Sequence, residues 1–335
     1  MKMHRIIGRW LALMIMLGLH SMTAVAAIEA IWKSPATLSG NTVKLRIIGS
    51  TDLAVMVPII KRFQSRHGNV SIYYAQASTV DCYQEVISQS AAPYDLVISS
   101  SMDLQVKLVN DGYAQHHRSA TTRQLPDFMR WRDQVFGFTD EPISIIYNKE
   151  KLQLDVLPDT RFALVEYLRR NAAMFMGRIQ TYDINQSGAG YLFATQDSLR
   201  SDTFWRLMEV FGALDTRLSC CSSNMIEAVR SGEALLAYNV VGSYIKDIAQ
   251  SDPNIGILPM QDYNLTMTRT ALIPGNARNV QAAGVFIDSL ISDLTHSNGI
   301  FGRSSPITLG PGLLVFQDRM KRSTFLEEWN SAIFQ

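Results

Sequence analysis

The feature that most constrains this chain is a unit that occurs three times between residues 43 and 112: an apolar strand, a short loop rich in hydroxyls, then an amphipathic helix. In the first unit Val43-Lys44-Leu45-Arg46-Ile47-Ile48 reads as a strand and runs into Gly49-Ser50-Thr51-Asp52. Val55, Ile59, Ile60 and Phe63 then recur at helical spacing, Pro58 is tolerable only near the helix start, and Gly68 ends the helix. The second unit is the strand Val70–Tyr74, the loop Ala77-Ser78-Thr79, and a helix through Glu85 and Ile87. The third is Asp95–Ile98, then Ser99-Ser100-Ser101, then a helix carrying Leu104, Leu108 and Val109 to Gly112. Such alternation predicts an α/β fold with a mostly parallel sheet flanked by helices. Ligands of these sheets lie beyond the carboxyl ends of the strands, and all three loops there offer Ser or Thr. One hydroxyl per loop is accounted for by helix capping; three such loops on one side of a sheet predict a polar pocket.

The continuation predicts a second lobe. Gly137–Asn148 is a long strand with Pro142 inside it, which cannot donate to a ladder and suits a strand leaving one sheet for another. Thr139 and Glu141 fall at this crossing, on the expected floor of a cleft. A helix over about 162–171, the strand Arg178–Tyr182, helices near 203–212 and 225–231, and the strand Ala234–Asn239 follow, and Thr266–Pro274 reads as the strand that carries the chain back. The expected division is residues 27–140 in the first lobe, 141–272 in the second, and 273–335 returning to complete the first. There is no Gly/Ser-rich linker, so crossing strands must join the lobes.

The N-terminus reads as a secretory signal peptide over residues 1–26: Lys2, Arg5 and Arg9, an apolar run from Trp10 to Leu19, and the small residues Ala24 to Ala27. The run is about half of the ~20 residues a spanning helix needs. Export to the periplasm is the expectation. The chain has 31 Lys and Arg against 30 Asp and Glu, and removing residues 1–26 leaves a formal net charge of −2. No basic stripe appears, which argues against nucleic acid as a partner. Cys82, Cys220 and Cys221 are an odd count that allows at most one disulfide. They lack the ligand number and spacing of a structural metal site, and are read as small buried residues of two separate elements. Neither a metal nor a cofactor is expected. An enzyme is not expected either: Gln186-Ser187-Gly188 lacks the leading glycine of a nucleophile elbow and no histidine is placed as its base.

Ser187-Gly188-Ala189-Gly190 follows a strand and precedes a helix, where small residues admit a ligand to the backbone and free N–H groups favour an anion. Tyr238 and Asn239 end a strand on what is expected to be the same side of the second lobe. With the Tyr94–Ser100 strand and loop, the Thr139–Asn148 crossing, the Ser187–Gly190 loop, the Gly232–Tyr238 strand and the Ile273–Asn279 return, the chain resembles type II periplasmic solute-binding proteins of ABC systems, in the group of ferric-ion, phosphonate and sugar-phosphate binders. Thr181-Tyr182-Asp183 and Tyr238–Tyr244 bring it nearest to sensor-associated subunits of the phosphoglycerate-transport regulatory type. The resemblance implies a two-lobed fold that closes on a small ligand. It also implies an ABC permease as partner or, alternatively, a sensor histidine kinase, with the protein itself a monomer. One departure bears on the ligand: ferric-ion binders of the group present adjacent tyrosines, whereas here Asn239 follows Tyr238. The expected ligand is a small anionic metabolite, an organophosphate or phosphonate, held by Ser50, Ser78, Thr79, Ser99, Ser100, Ser101, Thr139, Glu141, Ser187, Gly188, Ala189, Gly190, Tyr238 and Asn239.

Overall fold

The computed structural model describes residues 27–38, 40–152, 158–293 and 304–335; the signal-peptide reading of residues 1–26 falls outside them. The first strand–loop–helix units are β2 (Val43–Gly49) with α1 (Leu53–Arg66), β3 (Val70–Ala77) with α2 (Thr79–Ser88), and β4 (Leu96–Ser99) with α3 (Met102–Asn110). Strand β2 lies between β3 and β4 and is parallel to both. Its Leu45, Ile47 and Ile48 are fully buried, the pattern of a central strand covered on both faces. A strand not foreseen from the sequence, β1 (Ile28–Ser34), pairs antiparallel with β3 at the edge of this sheet.

The chain leaves the first sheet after β5 (Arg130–Trp131) and β6 (Val135–Gly137), and enters the second as β7 (Glu141–Asn148), all of whose residues are buried. The second unit contains α4 (Arg161–Arg170), a short turn of helix α5 (Ala172–Phe175), β8 (Ile179–Tyr182), α6 (Gly188–Arg200), α7 (Thr203–Ala213), β9 (Arg217–Ser219), α8 (Ser222–Arg230), β10 (Leu236–Val241), α9 (Gly242–Ser251), β11 (Ile255–Leu258) and β12 (Asn264–Met267). Strand β13 (Thr270–Leu272) returns to the first sheet, between β4 and β6, and α10 (Val280–Ser292) covers it. The sheets run β1-β3-β2-β4-β13-β6-β5 and β14-β12-β7-β10-β8-β9, with β14 (Ser304–Pro306) at one edge and β11 pairing with β7. The two connections between sheets run side by side. Phe138 N donates to Arg269 O (3.0 Å), Arg269 N to Thr139 Oγ1 (2.7 Å), and Thr139 N to Thr268 Oγ1 (3.2 Å).

The C-terminal segment corrects the sequence-based expectation. Residues from 304 on do not finish the first lobe: β14 pairs with β12, and α11 (Arg319–Ile333) packs on α7. The reason is apolar. Phe325, Trp329, Ala332 and Ile333 share a buried cluster with Phe204, Leu207 and Phe211, and Trp329 is only 1% exposed. An amphipathic helix announces that it must bury one face, not which lobe offers the complement. Between these segments the turn Pro311–Gln317 reaches α3, and Met102 and Val106 of that helix are fully buried with Leu309 and Leu313.

Candidate functional site

The cleft between the sheets holds a cavity of about 120 Å³. Five helices begin at its wall. Asp52, Ser78, Ser187, Cys221 and Val241 occupy the N-cap positions of α1, α2, α6, α8 and α9, and all five line the cavity. The cause is topological: each of these helices follows a strand of its sheet, so its first turn sits at that strand's carboxyl end. Each N-terminus carries partial positive charge and N–H groups without intrahelical partners. The arrangement therefore concentrates donors and positive potential in one small volume.

Among the residues expected here, Ser50, Ser78, Thr79, Ser100, Ser187 and Ala189 line the cavity. Ser100 N donates to Ser50 Oγ (3.1 Å) and the two hydroxyls lie 3.2 Å apart. Ser78 Oγ accepts from Asp81 N (3.0 Å) and donates to its carboxylate (2.7 Å), so it is fully engaged as a cap. Ser187 Oγ accepts from Gly190 N (3.2 Å), which leaves its O–H to donate into the cleft. Gly188 joins the lobes: its N–H donates to Thr79 Oγ1 (3.1 Å), and a Cβ built on it would stand 2.7 Å from that oxygen and 3.0 Å from Ser101 Oγ.

Other expected residues lie off the cavity wall, each for a visible reason. Ser99 is turned into the backbone, its Oγ accepting from Ser101 N (3.1 Å), and Ser101, wholly buried, donates to Asp103 (2.6 Å). Gly190 is small for packing: an added Cβ would meet Tyr182 Cβ at 2.4 Å. Thr139 pins the crossing. Tyr238 is 1% exposed and belongs to the core of the second lobe, accepting from Arg161 Nε (2.8 Å) and donating to Asp197 (2.9 Å). Asn239 donates to the same carboxylate (2.8 Å) from a left-handed backbone with φ of 67°. That backbone breaks the simple alternation of β10, whose pairing register with β7 shifts between Ala237 and Val240.

Glu141 acts through a residue the sequence reading missed. Arg269, 2% exposed on the return crossing, donates Nε to Glu141 Oε1 (2.5 Å), Nη1 to Thr51 Oγ1 (2.7 Å) and Nη2 to Ser243 Oγ (3.3 Å), and also lines the cavity. Burial by itself would push its pKa down, but the Glu141 carboxylate and Tyr244 outweigh that and hold it above the ordinary arginine value. The signal was present: Arg269 is the sole charged side chain in the strand-like stretch Asn264–Pro274. Tyr182 and Tyr244 add phenols to the wall, and burial raises the pKa of both, so they stay protonated donors. Glu29 of β1 and Asp52 supply carboxylates on the first-lobe side, both accepting from Gln76 Nε2 (3.0 and 3.1 Å).

Of the cysteines, Cys82 is buried as expected, whereas Cys220 is exposed and Cys221 half-buried. Cys82 is a buried free thiol, whereas Cys220 and Cys221 are joined to each other and stand at the cavity wall.

A larger groove of about 1060 Å³ lies on the outside of the second lobe, lined by Trp205, Glu209, Glu327 and Gln335 among others. It is remote from the crossing and from the carboxyl-end loops, so its volume does not make it the site.

Residues 45–296 match the family model described as bacterial extracellular solute-binding protein. The chain belongs to this family. A solved structure of the substrate-binding protein of an ABC transporter from Agrobacterium tumefaciens is 31% identical, with a TM-score of 0.86 over 92% of this chain and 99% of that one. At fold level only, the iron-bound protein HitA of Pseudomonas aeruginosa is similar at 16% identity and a TM-score of 0.66, over 87% of this chain and 99% of that one. AfuA of Actinobacillus pleuropneumoniae, solved with fructose 6-phosphate, is similar at 15% identity and a TM-score of 0.69, over 87% of this chain and 98% of that one. No curated protein sequence matches. As a solute-binding protein of this family, the molecule binds a small-molecule solute and is not an enzyme.

Proposed function

We propose that this solute-binding protein carries a small phosphonate or phosphate monoester, bound in the cleft by closure of the lobes and delivered to its permease. The observation that carries the reading is the convergence of five helix N-termini on one cavity beside the buried Arg269. Each N-terminus favours an anion by about 0.3–1 kcal/mol, and hydrogen bonds to an oxyanion are about twice as strong as neutral ones. Arg269 is already paired with Glu141 and supplies donors rather than net charge, so the dipoles and hydroxyls do most of the holding. Glu29 and Asp52, carboxylates of the first lobe on the same cavity, call for a hydroxyl or amino group elsewhere on the ligand. The cavity of about 120 Å³ compares with the roughly 150 Å³ that admits benzene in an engineered site.

Closure turns about the paired segments at 138–140 and 268–269, and the signal peptide over residues 1–26 exports the monomer. A ferric ion fits the donor set poorly. Tyr238 is committed to the core, and of the phenols that line the cleft Tyr182 is bonded to Ser222 while Tyr244 lies beside Arg269, whose positive charge opposes a cation. Presentation of the closed form to a sensor histidine kinase would use the same cleft; permease-dependent uptake of the ligand separates the two roles. The test is a thermal-melt screen of the mature protein against inorganic phosphate, phosphonoacetate, 2-aminoethylphosphonate, glycerol 3-phosphate, fructose 6-phosphate and ferric citrate, because a ligand that binds only the native state raises the melting temperature. Stabilisation by the smaller phosphonates or phosphates is expected. Stabilisation by ferric citrate alone, with a tyrosinate-to-iron absorption band, would defeat the reading.

A further inference from the structure

The Cys220–Cys221 disulfide joins neighbours in sequence. A disulfide stabilises a fold chiefly by closing a loop in the unfolded chain, and the effect grows with loop length. A bridge between adjacent residues closes almost no loop, so global stability does not account for it. What it does fix is the backbone of the two residues, and these connect β9 to α8 at the cleft wall.

The surroundings show what that backbone holds. Cys221 is the N-cap of α8, extended at φ −149° and ψ 152°, and its side chain makes no capping bond to the first turn. The first helical hydrogen bond there, from Met225 N to Cys221 O, is long at 3.4 Å. The next residue, Ser222, is buried and ties the turn to the rest of the cleft: its Oγ accepts from Val241 N (3.0 Å) and lies 2.7 Å from the Tyr182 hydroxyl. Tyr182, Val241, Ser222 and both cysteines all line the cavity. Cys220 is exposed and Cys221 half-buried, so the bridge is open to a thiol in solution. Cys82 is buried and its thiol pKa is raised by that burial, which leaves it unreactive in the native protein.

We propose that this vicinal disulfide is a redox-sensitive latch of the ligand cleft, holding the first turn of α8 and, through Ser222, the positions of Tyr182 and Val241. The proposal rests on the cleft being the ligand site. The opening step is ordinary exchange with a dithiol reductant. One thiolate of the reductant attacks a sulfur of the bridge, forming a mixed disulfide and releasing the other cysteine as a thiolate that takes up a proton. The second thiol of the reductant then displaces the remaining cysteine, which is protonated in turn. The reductant leaves oxidised to its own disulfide, and the protein gains two thiols. Freed from the ring, the backbone of 220–221 regains rotational freedom, the N–H groups of the α8 first turn lose their fixed aim, and anion affinity falls.

Three measurements on mature protein purified from periplasm decide the matter. Alkylation under denaturing, non-reducing conditions should label one thiol, Cys82; three labelled thiols would remove the latch altogether. Hydrogen exchange without ligand should quicken in peptides spanning 219–226 and 182–187 after dithiothreitol treatment, and likewise in the Cys220→Ser/Cys221→Ser double variant, with Cys82→Ser as the unaffected control. Exchange identical in the oxidised, reduced and double-variant proteins would overturn the proposal. Calorimetry with phosphonoacetate should show affinity roughly tenfold weaker in the reduced protein, the equivalent of one hydrogen bond to an anion. Equal affinity in both states would likewise overturn it. An exchange difference in a protein that binds none of the phosphates or phosphonates would instead sink the anion-site reading and leave the latch standing.

Discussion

Gly188→Ala tests whether the lobes close as the geometry requires. The new methyl carbon would lie 2.7 Å from Thr79 Oγ1, 3.0 Å from Ser101 Oγ and 3.3 Å from Leu104 Cδ1, all three in the first lobe. Thr79 can rotate away only by giving up the hydrogen bond it accepts from Gly188 N at 3.1 Å. Losing that bond costs about 1 kcal/mol, and forcing a methyl into a packed contact costs about 1–3 kcal/mol more. The sum, about 2–4 kcal/mol, bears on the closed form alone, because the clash is between lobes and not within either. The expected result is affinity weakened by roughly thirtyfold to a thousandfold, with the melting temperature of the ligand-free protein unchanged. Calorimetry with whichever probe stabilises the wild type measures the first, and small-angle scattering should show that saturating ligand no longer contracts the variant to the wild-type radius of gyration. Wild-type affinity together with wild-type contraction would refute the argument that this glycine sets the closing distance.

Arg269→Met leaves Glu141 buried without its partner and should destabilise the fold by about 3–5 kcal/mol in chemical denaturation; adding Glu141→Gln should recover much of the loss, and failure to recover would show that the pair is not the coupled unit. Tyr238→Phe removes the hydroxyl that joins Arg161 to Asp197 and should cost about 1–3 kcal/mol of stability with ligand affinity unchanged; a change confined to affinity would return Tyr238 to the cleft. Asp103 has its carboxyl pKa raised by burial above 3.8, against the lowering effect of the Ser101 hydrogen bond. A raised folded value means that its stabilising contribution is complete below the unfolded pKa and is lost as pH rises through the folded one. Asp103→Asn should therefore flatten the stability profile from about pH 4 upward without lowering stability at neutral pH, since the Gln317 amide can turn to meet the new side chain; an unaltered slope would refute the assignment.

Much of the fold was legible because its signals are local. The three strand–loop–helix units of residues 43–112 show in periodicity and in hydroxyl-rich loops, and Pro142 marks the crossing by what a proline cannot do in a ladder. The Ser and Thr residues at strand ends were equally readable as a group, since a parallel sheet sends all such loops to one side. Which of them face the cavity was not. Ser50 and Ser100 reach the cavity while Ser99 and Ser101 turn away, a difference set by side-chain alternation and capping in a single loop.

What the amino-acid sequence by itself determined is the two-lobed α/β architecture and the hydroxyl-rich loops at its strand ends. These follow from period, turn chemistry and strand–helix order over short stretches of chain. Tertiary structure alone decided the rest. It put Tyr238 in a core beside Arg161 and Asp197, brought Arg269 across 128 residues of chain to Glu141, laid Glu29 at the cleft from an edge strand, and sent the C-terminal helix to the second lobe. Each of these is a pairing between distant segments. A buried charge must find its counter-charge and an apolar helix face its complement, but neither requirement is written in the neighbouring residues, and only the packed fold shows which partner meets it.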